Sequence, residues 1–444
     1  MVAPNQINAM PTKAFFVDML IKDIPLERAV LDLVDNCIDG ARRLRPGDEP
    51  DFSGLRINLA LNEDRFEIRD NCGGFDIETA QTYAFRFGRP SKTRSTAYSI
   101  GQFGVGMKRA LFKFGRYFEV YSTTREQKWS MKVDVDNWEE QDDWVFDFDT
   151  VIENQEFAEE EWGTRIIVER LRPEVASMFA APPFHRQLTA TIRSHQRQFL
   201  VWKLAIALEG THLTNTRLQI RTGGTFNAAI EEFSFYEDSD DPIRIRLIAG
   251  VSNSSPPHAG WYIICNGRVI LSADRSEETG WGSISDQKDG IPKYHNQYAR
   301  FRGVAFFDCR SSSKLPWNTT KTGLDSSSAI WLGTVPKMLD HTRTVINFLN
   351  DLDNDVDEFG QSSPLLAALN SETTLKEVET LRGPSAFSWN RAPRPPGPRT
   401  TKIQYSREAD KIRGLMTALN VRSAKAVGEA TFDLVYKRQS GDDE

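Results

Sequence analysis

Asp32, Asn36 and Asp39 recur at i, i+4 and i+7. At 3.6 residues per turn a helix brings them within roughly 60° of one another. Carboxylate, amide and carboxylate in one stripe suit a hard cation. Mg²⁺ takes oxygen ligands and keeps several waters, so one side chain plus substrate phosphates is enough. A neighbouring carboxylate accepts the proton of an attacking water. The same stripe also serves as a plain solvated helix face. Asp70 alternates in phase with Phe66 and Ile68, which turns it toward the core. A buried carboxylate is costly unless something hydrogen-bonds it. Asn71-Cys72-Gly73-Gly74 follows, a turn whose backbone can approach a flat ligand closely. A carboxylate accepting from an exocyclic amine makes this an adenine pocket; a carboxylate capping the turn through backbone N–H groups uses the same residues. The third segment is Gly101-Gln102-Phe103-Gly104-Val105-Gly106-Met107-Lys108. Glycines leading into a helix present unpaired N–H groups and a positive dipole end, which suits phosphate, and Lys108 adds charge. No GxxxxGK[ST] run occurs, and the glycine spacing is not that of the dinucleotide fingerprint. Alone, this loop is equally a tight turn.

The elements that hold these residues are legible in the hydrophobic pattern. Leu26, Ala29, Val30, Leu33, Val34, Cys37, Ile38 and Ala41 predict one amphipathic helix over 24–43, ended by Pro46-Gly47. Two strands follow, one with Leu55, Ile57, Leu59 and Leu61 on one face, the next with Phe66, Ile68 and Asp70, joined by a turn at 62–64. Residues 75–100 predict a mobile loop, and a second helix runs from the glycines to about Phe114. Strands are expected near 117–135 and 164–169, with a heavily acidic surface loop or hairpin between them. A connecting helix spans 186–209. A second strand-rich region holds strands at 243–250, 261–271 and 301–308, and helical periodicity returns at 329–352. Residues 383–400 are Pro-rich and basic and predict an extended linker before one or two short helices at 405–437. The expected domains are 1–178, 179–335, a helical extension 336–382, the linker 383–400 and a small helical segment 401–444.

A chain of 444 residues, 26% charged and 39% hydrophobic, is a globular composition of two or three domains. No apolar run approaches the ~18 residues of a spanning helix. The first residues, MVAPNQINAMPTKAFF, lack a basic n-region followed by a long apolar core, so no signal peptide is expected. A formal net charge of −7 disfavours a nonspecific nucleic-acid coat. The four cysteines, Cys37, Cys72, Cys265 and Cys309, form no CxxC pair, which fits a reducing, cytoplasmic home.

Taken together, DLVDNCIDGA (32–41), DNCGG (70–74), GQFGVGMK (101–108) and the Gly163-Thr164 of WGTRIIVERL resemble, in order, the four motifs of the GHKL ATPase superfamily. That superfamily includes DNA gyrase B, the ninety-kilodalton heat-shock chaperone, histidine kinases and MutL. The resemblance covers about 1–175 and implies a Bergerat fold, an α/β sandwich with ATP between a helical layer and a mixed sheet. It implies that Asn36 holds Mg²⁺, with Asp39 on the same face of the nucleotide site. It gives Asp70 the adenine amine, with Thr164 supporting it through water. Gly74, Gly101, Gly104 and Gly106 would shape the nucleotide loops together with Gln102, Phe103, Val105 and Met107. Lys108, and Lys92 in the lid, would meet phosphate. Asp32 falls where the hydrolysing branches place a catalytic glutamate, and its side chain is one methylene shorter. Cys72 occupies the first glycine position of the usual D-x-G-x-G motif, so its backbone must avoid a glycine-only conformation. WYIICNGRV (261–269) resembles the strand-turn-strand of the transducer domain that follows the ATPase domain in MutL, gyrase and the MORC proteins. In such domains a loop lysine reaches the γ-phosphate; KLPWNTTKTGL (314–324) offers Lys321 first and Lys314 second.

The fold expected is therefore α/β: a Bergerat sandwich, a transducer-like α/β domain and a helical C-terminal tail. The architecture is nearest to MORC-like and chaperone-like bacterial ATP-binding proteins. It implies slow Mg²⁺-dependent ATP hydrolysis, with lid closure and homodimeric pairing through the ATPase domains. Such a switch or clamp acts on a macromolecular partner, in anti-phage defence or DNA handling by family analogy. Residues 10–23 are either an exchanged arm or packed on their own domain. The alternative function is a non-hydrolysing ATP sensor that recruits an effector protein through 401–444. DNA contact through the basic linker is weighed against a solubilising role, and no membrane is expected.

Overall fold

The computed structural model describes residues 11–86, 96–101, 106–282, 291–318, 321, 323–389 and 403–440. Lys92, Gln102, Phe103, Gly104 and Val105 lie outside the described residues. Residues 1–390 form one compact unit and 391–444 another.

In the first unit an eight-stranded sheet is built from β1 (Arg56–Leu61), β2 (Arg65–Asp70), β3 (Gly115–Thr123), β4 (Gln127–Asp134), β5 (Phe148–Glu153), β6 (Gly163–Leu171), β7 (Ala205–Leu208) and β8 (Thr211–His212). Their order is β5-β4-β3-β6-β2-β1-β7-β8. Neighbours are antiparallel except β1 and β7, which run parallel. The strict alternation of β1 and β2 buries Ile57, Leu59, Leu61, Phe66, Ile68 and Asp70 on one face and leaves Arg56, Asn58 and Arg69 on the other. The expected connecting helix at 186–209 is two helices, Pro182–His195 and Arg197–Val201, and the chain then re-enters the sheet as β7. The sheet thus continues past residue 178, the domain end expected from sequence, to His212. Ala205–Leu208 is short and apolar, a run whose periodicity does not separate strand from helix.

The Leu26–Leu44 helix lies on the buried face, with Val30, Leu33, Val34, Ile38 and Ala41 in the core. Burying each large aliphatic side chain contributes roughly 1.5–3 kcal/mol. Glu27 sits in its first turn and Arg42 and Arg43 in its last, as the helix dipole favours. Arg45, at φ −126° and ψ 75°, ends it because Pro46 follows. The Gly106–Phe114 helix packs beside it. Within the stretch expected as a loop, residues 77–84 form helical turns capped by Asp76, whose carboxylate accepts from the Thr79 N–H at 2.6 Å. The Lys13–Ile21 helix packs on its own domain: buried Lys13 donates to the Trp138 and Gln141 carbonyls at 2.6 and 2.8 Å.

The second sheet, order β10-β11-β14-β12-β13, comprises β10 (Ala229–Phe235), β11 (Ile243–Val251), β12 (Gly260–Cys265), β13 (Arg268–Asp274) and β14 (Phe301–Asp308). Trp261 on β12 donates its indole N–H to Thr342 of the Ala329–Phe359 helix at 3.1 Å. A small pair joins β9 (Gln219–Thr222) to β15 (Thr374–Glu377). The start of the expected linker is docked: Ser385 and Ser388 bond backbone to Ile230 and Asn227, and Phe387 and Trp389 pack on Phe348. Phe387 and Trp389 give this basic stretch an apolar anchor. The second unit contains the helices Ala409–Ala418 and Ala424–Ser440. Among the described residues no helix is long and apolar enough to cross a membrane.

Candidate functional site

The polar stripe of the Leu26–Leu44 helix has four members, because Asp35 lies between Asp32 and Asn36 on the same side. Each has its own surroundings. Asp32 stands at the start of the Gly106–Phe114 helix, so close that a Cβ on Gly106 would lie 2.9 Å from its Cγ. Burial raises the Asp32 pKa, and nearby Lys321 opposes that rise. Asn36 has a buried Nδ2 without a hydrogen-bond partner, and a Cβ on Gly101 would lie 3.6 Å from its Oδ1.

Asp39, expected at the nucleotide site, has backbone partners in the structure. Its two oxygens accept the backbone N–H groups of Ile100 and Gly101, each at 2.7 Å. A Cβ on Gly101 would meet Asp39 Oδ2 at 2.7 Å, which explains glycine there. Asp39 therefore tethers the entry to the glycine loop. Burial raises its pKa, and the two amides hold it down in part.

Asp70 is 7% exposed, and its Oδ1 accepts from Cys72 N–H at 2.7 Å and Thr164 N–H at 3.3 Å. The turn-capping reading is thus realised, and Thr164 supports the carboxylate through its backbone. Burial raises the Asp70 pKa against these bonds and a bond to the Cys37 thiol. The departure at Cys72 costs no backbone strain, because the positive φ values fall on Gly73 (87°) and Gly74 (61°). Gly74 is pressed against Thr123, whose carbonyl oxygen would lie 2.4 Å from an added Cβ. A cleft of about 440 Å³ opens beside Asp70 and Thr164, with Arg56, Asn58, Arg69 and Arg165 on its outward-facing wall.

Lys108 does not reach the polar stripe as a free cation. It is buried, its Nζ donates to the Ala84 carbonyl at 2.8 Å, and desolvation lowers its pKa to about 7. Met107 is partly buried against the core.

The two lysines of the 314–324 loop separate. Lys314 pairs with Asp241 at 3.1 Å and donates to its backbone carbonyl at 2.8 Å. Lys321 is buried and brings Nζ to 2.8 Å from Asp35 Oδ2 and 3.7 Å from Asp32 Oδ1. Asp35 Oδ1 in turn accepts from Gln196 Nε2 at 2.7 Å, with Arg268 Nε at 3.2 Å. Burial opposes ionisation of Asp35, but Arg268 and Lys321 outweigh it and lower its pKa. Asp35, Gln196 and Arg268 are not among the residues that the sequence motifs single out. The signal for Asp35 was its i+3 spacing from Asp32; Gln196 and Arg268 carry none.

The Asn266-Gly267 turn, between β12 and β13, ties the lobe built on the second sheet to the lobe built on the eight-stranded sheet. Both residues have positive φ, 47° and 85°, as a tight hairpin turn requires. The Asn266 side chain pairs with both backbone groups of Cys309, at 2.9 and 3.0 Å, and the Asn266 backbone carbonyl accepts from Arg42 at 2.8 Å. Residues that precede the glycine loop bind the same lobe: Tyr98 N–H donates to the Arg310 carbonyl at 3.0 Å, and Ser99 Oγ lies 3.2 Å from Ser312 Oγ.

Among the described residues no group of three or more His, Cys, Asp or Glu side chains could hold a metal ion by itself. Residues 24–164 match the family of histidine kinase-, DNA gyrase B- and HSP90-like ATPases. No curated protein matches the chain.

Proposed function

We propose, from the match of residues 24–164 to the histidine kinase-, gyrase B- and HSP90-like ATPase family, that this protein hydrolyses ATP slowly and uses the cycle as a conformational switch. The observation that carries the reading is the meeting of Lys321 with Asp32, 3.7 Å apart, at the start of the Gly106–Phe114 helix.

In this reading Asp70 receives the adenine amine, and Gly74, Gly101 and Gly106 let backbone approach the nucleotide. Mg²⁺ fits as a phosphate-borne ion held by Asn36, whose amide has an unspent buried nitrogen and an oxygen directed toward the loop. When bound, that ion neutralises phosphate charge. Asp32 accepts the proton of the water that attacks the γ-phosphorus, the bond to ADP breaks, and phosphate leaves. Lys321 offsets the negative charge on the γ-phosphoryl oxygens. The ties of Tyr98, Ser99 and Arg42 to the second lobe support a switch in which nucleotide at the glycine loop repositions that lobe.

Pairing of two protomers through this domain, and capture of a protein by 401–444, complete the reading. The exposed Phe432, Leu434, Val435 and Tyr436 support the latter. A setting in defence or DNA handling rests on analogy. The test is ATP binding and turnover with Mg²⁺ for the wild type, Asp32→Asn and Asp70→Asn. Turnover lost in both variants, with binding lost only in Asp70→Asn, is expected. Binding without turnover in the wild type selects the non-hydrolysing sensor. No binding at all overturns both.

A further inference from the structure

We propose that Asp35 is the positioning residue for Lys321: it holds the lysine from the second lobe at the reacting end of the nucleotide site. This rests on the ATPase reading above and deepens it.

The geometry is specific. Asp35 is 1% exposed and divides its oxygens between two tasks. Oδ2 binds Lys321 at 2.8 Å, while Oδ1 takes Gln196 at 2.7 Å and faces Arg268 at 3.2 Å. The carboxylate is thereby fixed from behind by residues that are themselves buried: Gln196 is 0% and Arg268 2% exposed. Lys321 has a left-handed backbone, φ 53°, which for a non-glycine residue is sustained only where surroundings hold it. An ammonium has three donors on a flexible stem. Without a fixed acceptor at Asp35, the lysine would turn onto the remaining neighbouring charge, the Asp32 carboxylate at 3.7 Å. That pairing would lower the basicity of the Asp32 carboxylate and draw the cation off the phosphate. Asp35 satisfies the ammonium one helical turn away and leaves Asp32 loosely engaged. The spacing of Asp32 and Asp35 at i and i+3 gives them the same helix face, so both can address one lysine.

The experiment is a double-mutant cycle on the full-length protein, read as single-turnover ATP hydrolysis with enzyme in excess and, separately, as ATP affinity. Asp35→Asn is expected to lower the rate at least tenfold while ATP affinity changes less than threefold. Gln196→Leu leaves every charge in place and loosens only the aim of Asp35. It is expected to lower the rate about threefold to tenfold, and it serves if Asp35→Asn does not fold. In a Lys321→Met background neither change lowers the rate further. A purely structural role predicts instead that the losses add. Additive losses, or a wild-type rate in a folded Asp35→Asn or Gln196→Leu protein, overturn the proposal. A wild type that binds ATP without hydrolysing it overturns it too. A wild type that binds no ATP overturns the ATPase reading itself, which separates the two failures.

Discussion

The Asp39 carboxylate grips the Gly101 N–H at 2.7 Å, and its second oxygen grips the Ile100 N–H at the same distance. A residue in the polar stripe of the Leu26–Leu44 helix therefore works on the protein's own backbone. An amide has one acceptor oxygen, so Asp39→Asn must lose one of these bonds and set its NH₂ against an N–H. Losing one charge-assisted bond costs about 1.5–3 kcal/mol. The expected outcome is a lower Tm together with ATP affinity at least tenfold weaker. Asn36→Ala should weaken Mg²⁺-dependent binding with little change in Tm. Differential scanning fluorimetry beside titration with ATP, with and without Mg²⁺, checks both.

Asp308 supplies a pH signature. Its pKa is raised from the ordinary 3.8 to about 6 by burial, against the pull of Arg42, Arg246 and Arg244 and with a push from Asp48. The folded state then binds this proton more tightly than the unfolded chain. The stabilising contribution is full below about 4 and lost as pH rises through about 6. Asp308→Asn keeps the neutral form at every pH. The Tm of the variant minus that of the wild type should therefore grow between pH 4 and 7. Asp32, Asp39 and Asp70, all raised in the same direction, are common to both proteins and cancel. A flat difference across that range would reject the shift.

Gly163 separates two reasons for glycine. Its φ is 145°, and an added Cβ would lie 2.0 Å from the Asp70 carbonyl oxygen, a contact backbone cannot relieve. Gly54 has φ 87° and nothing within 4 Å of the same position. Gly54→Ala should cost about 1–2 kcal/mol for the left-handed conformation alone. Gly163→Ala adds displacement of β2 from β6 and should cost more than about 4 kcal/mol. Urea denaturation of the two variants measures the gap. If Gly163→Ala proves no worse than Gly54→Ala, the close approach of these strands is not what demands glycine at the fourth motif.

What was legible in the sequence follows how local each signal is. The Leu26–Leu44 helix is readable because eight apolar residues keep one period, and Asp70 because it alternates in phase with Phe66 and Ile68. Cys72 looked like a departure from a glycine motif, yet the left-handed conformations sit at Gly73 and Gly74. The partners of Asp39 and Lys108 are backbone groups, of Ile100, Gly101 and Ala84, which no side-chain pattern announces. Ala205–Leu208 joins the first sheet through a parallel pairing with β1 that only tertiary structure selects. Asp35 was visible as a fourth member of the stripe, but its charge gained meaning only from Gln196, Arg268 and Lys321, all distant in sequence.

The two loop lysines give the last contrast. Lys314 has a side chain 37% exposed and pairs with Asp241 at the surface, where an ion pair is worth about 0–1 kcal/mol. Lys314→Met should shift Tm little and leave ATP turnover within twofold of wild type. Lys321 lies between two carboxylates in the interior, and removing one partner of a buried pair costs about 3–5 kcal/mol because the other charge is left behind. Arg268 and Gln196 remain on Asp35, so Lys321→Met should fall at the lower end, about 3 kcal/mol, with turnover at least a hundredfold slower. Lys321→Arg keeps the charge but exchanges a point donor for a planar fork in a packed site. It should restore part of the stability and little of the rate. A Lys321→Arg protein that turns over ATP at the wild-type rate would show that charge alone suffices there; one with restored Tm and lost turnover would tie the rate to the placement of a single ammonium.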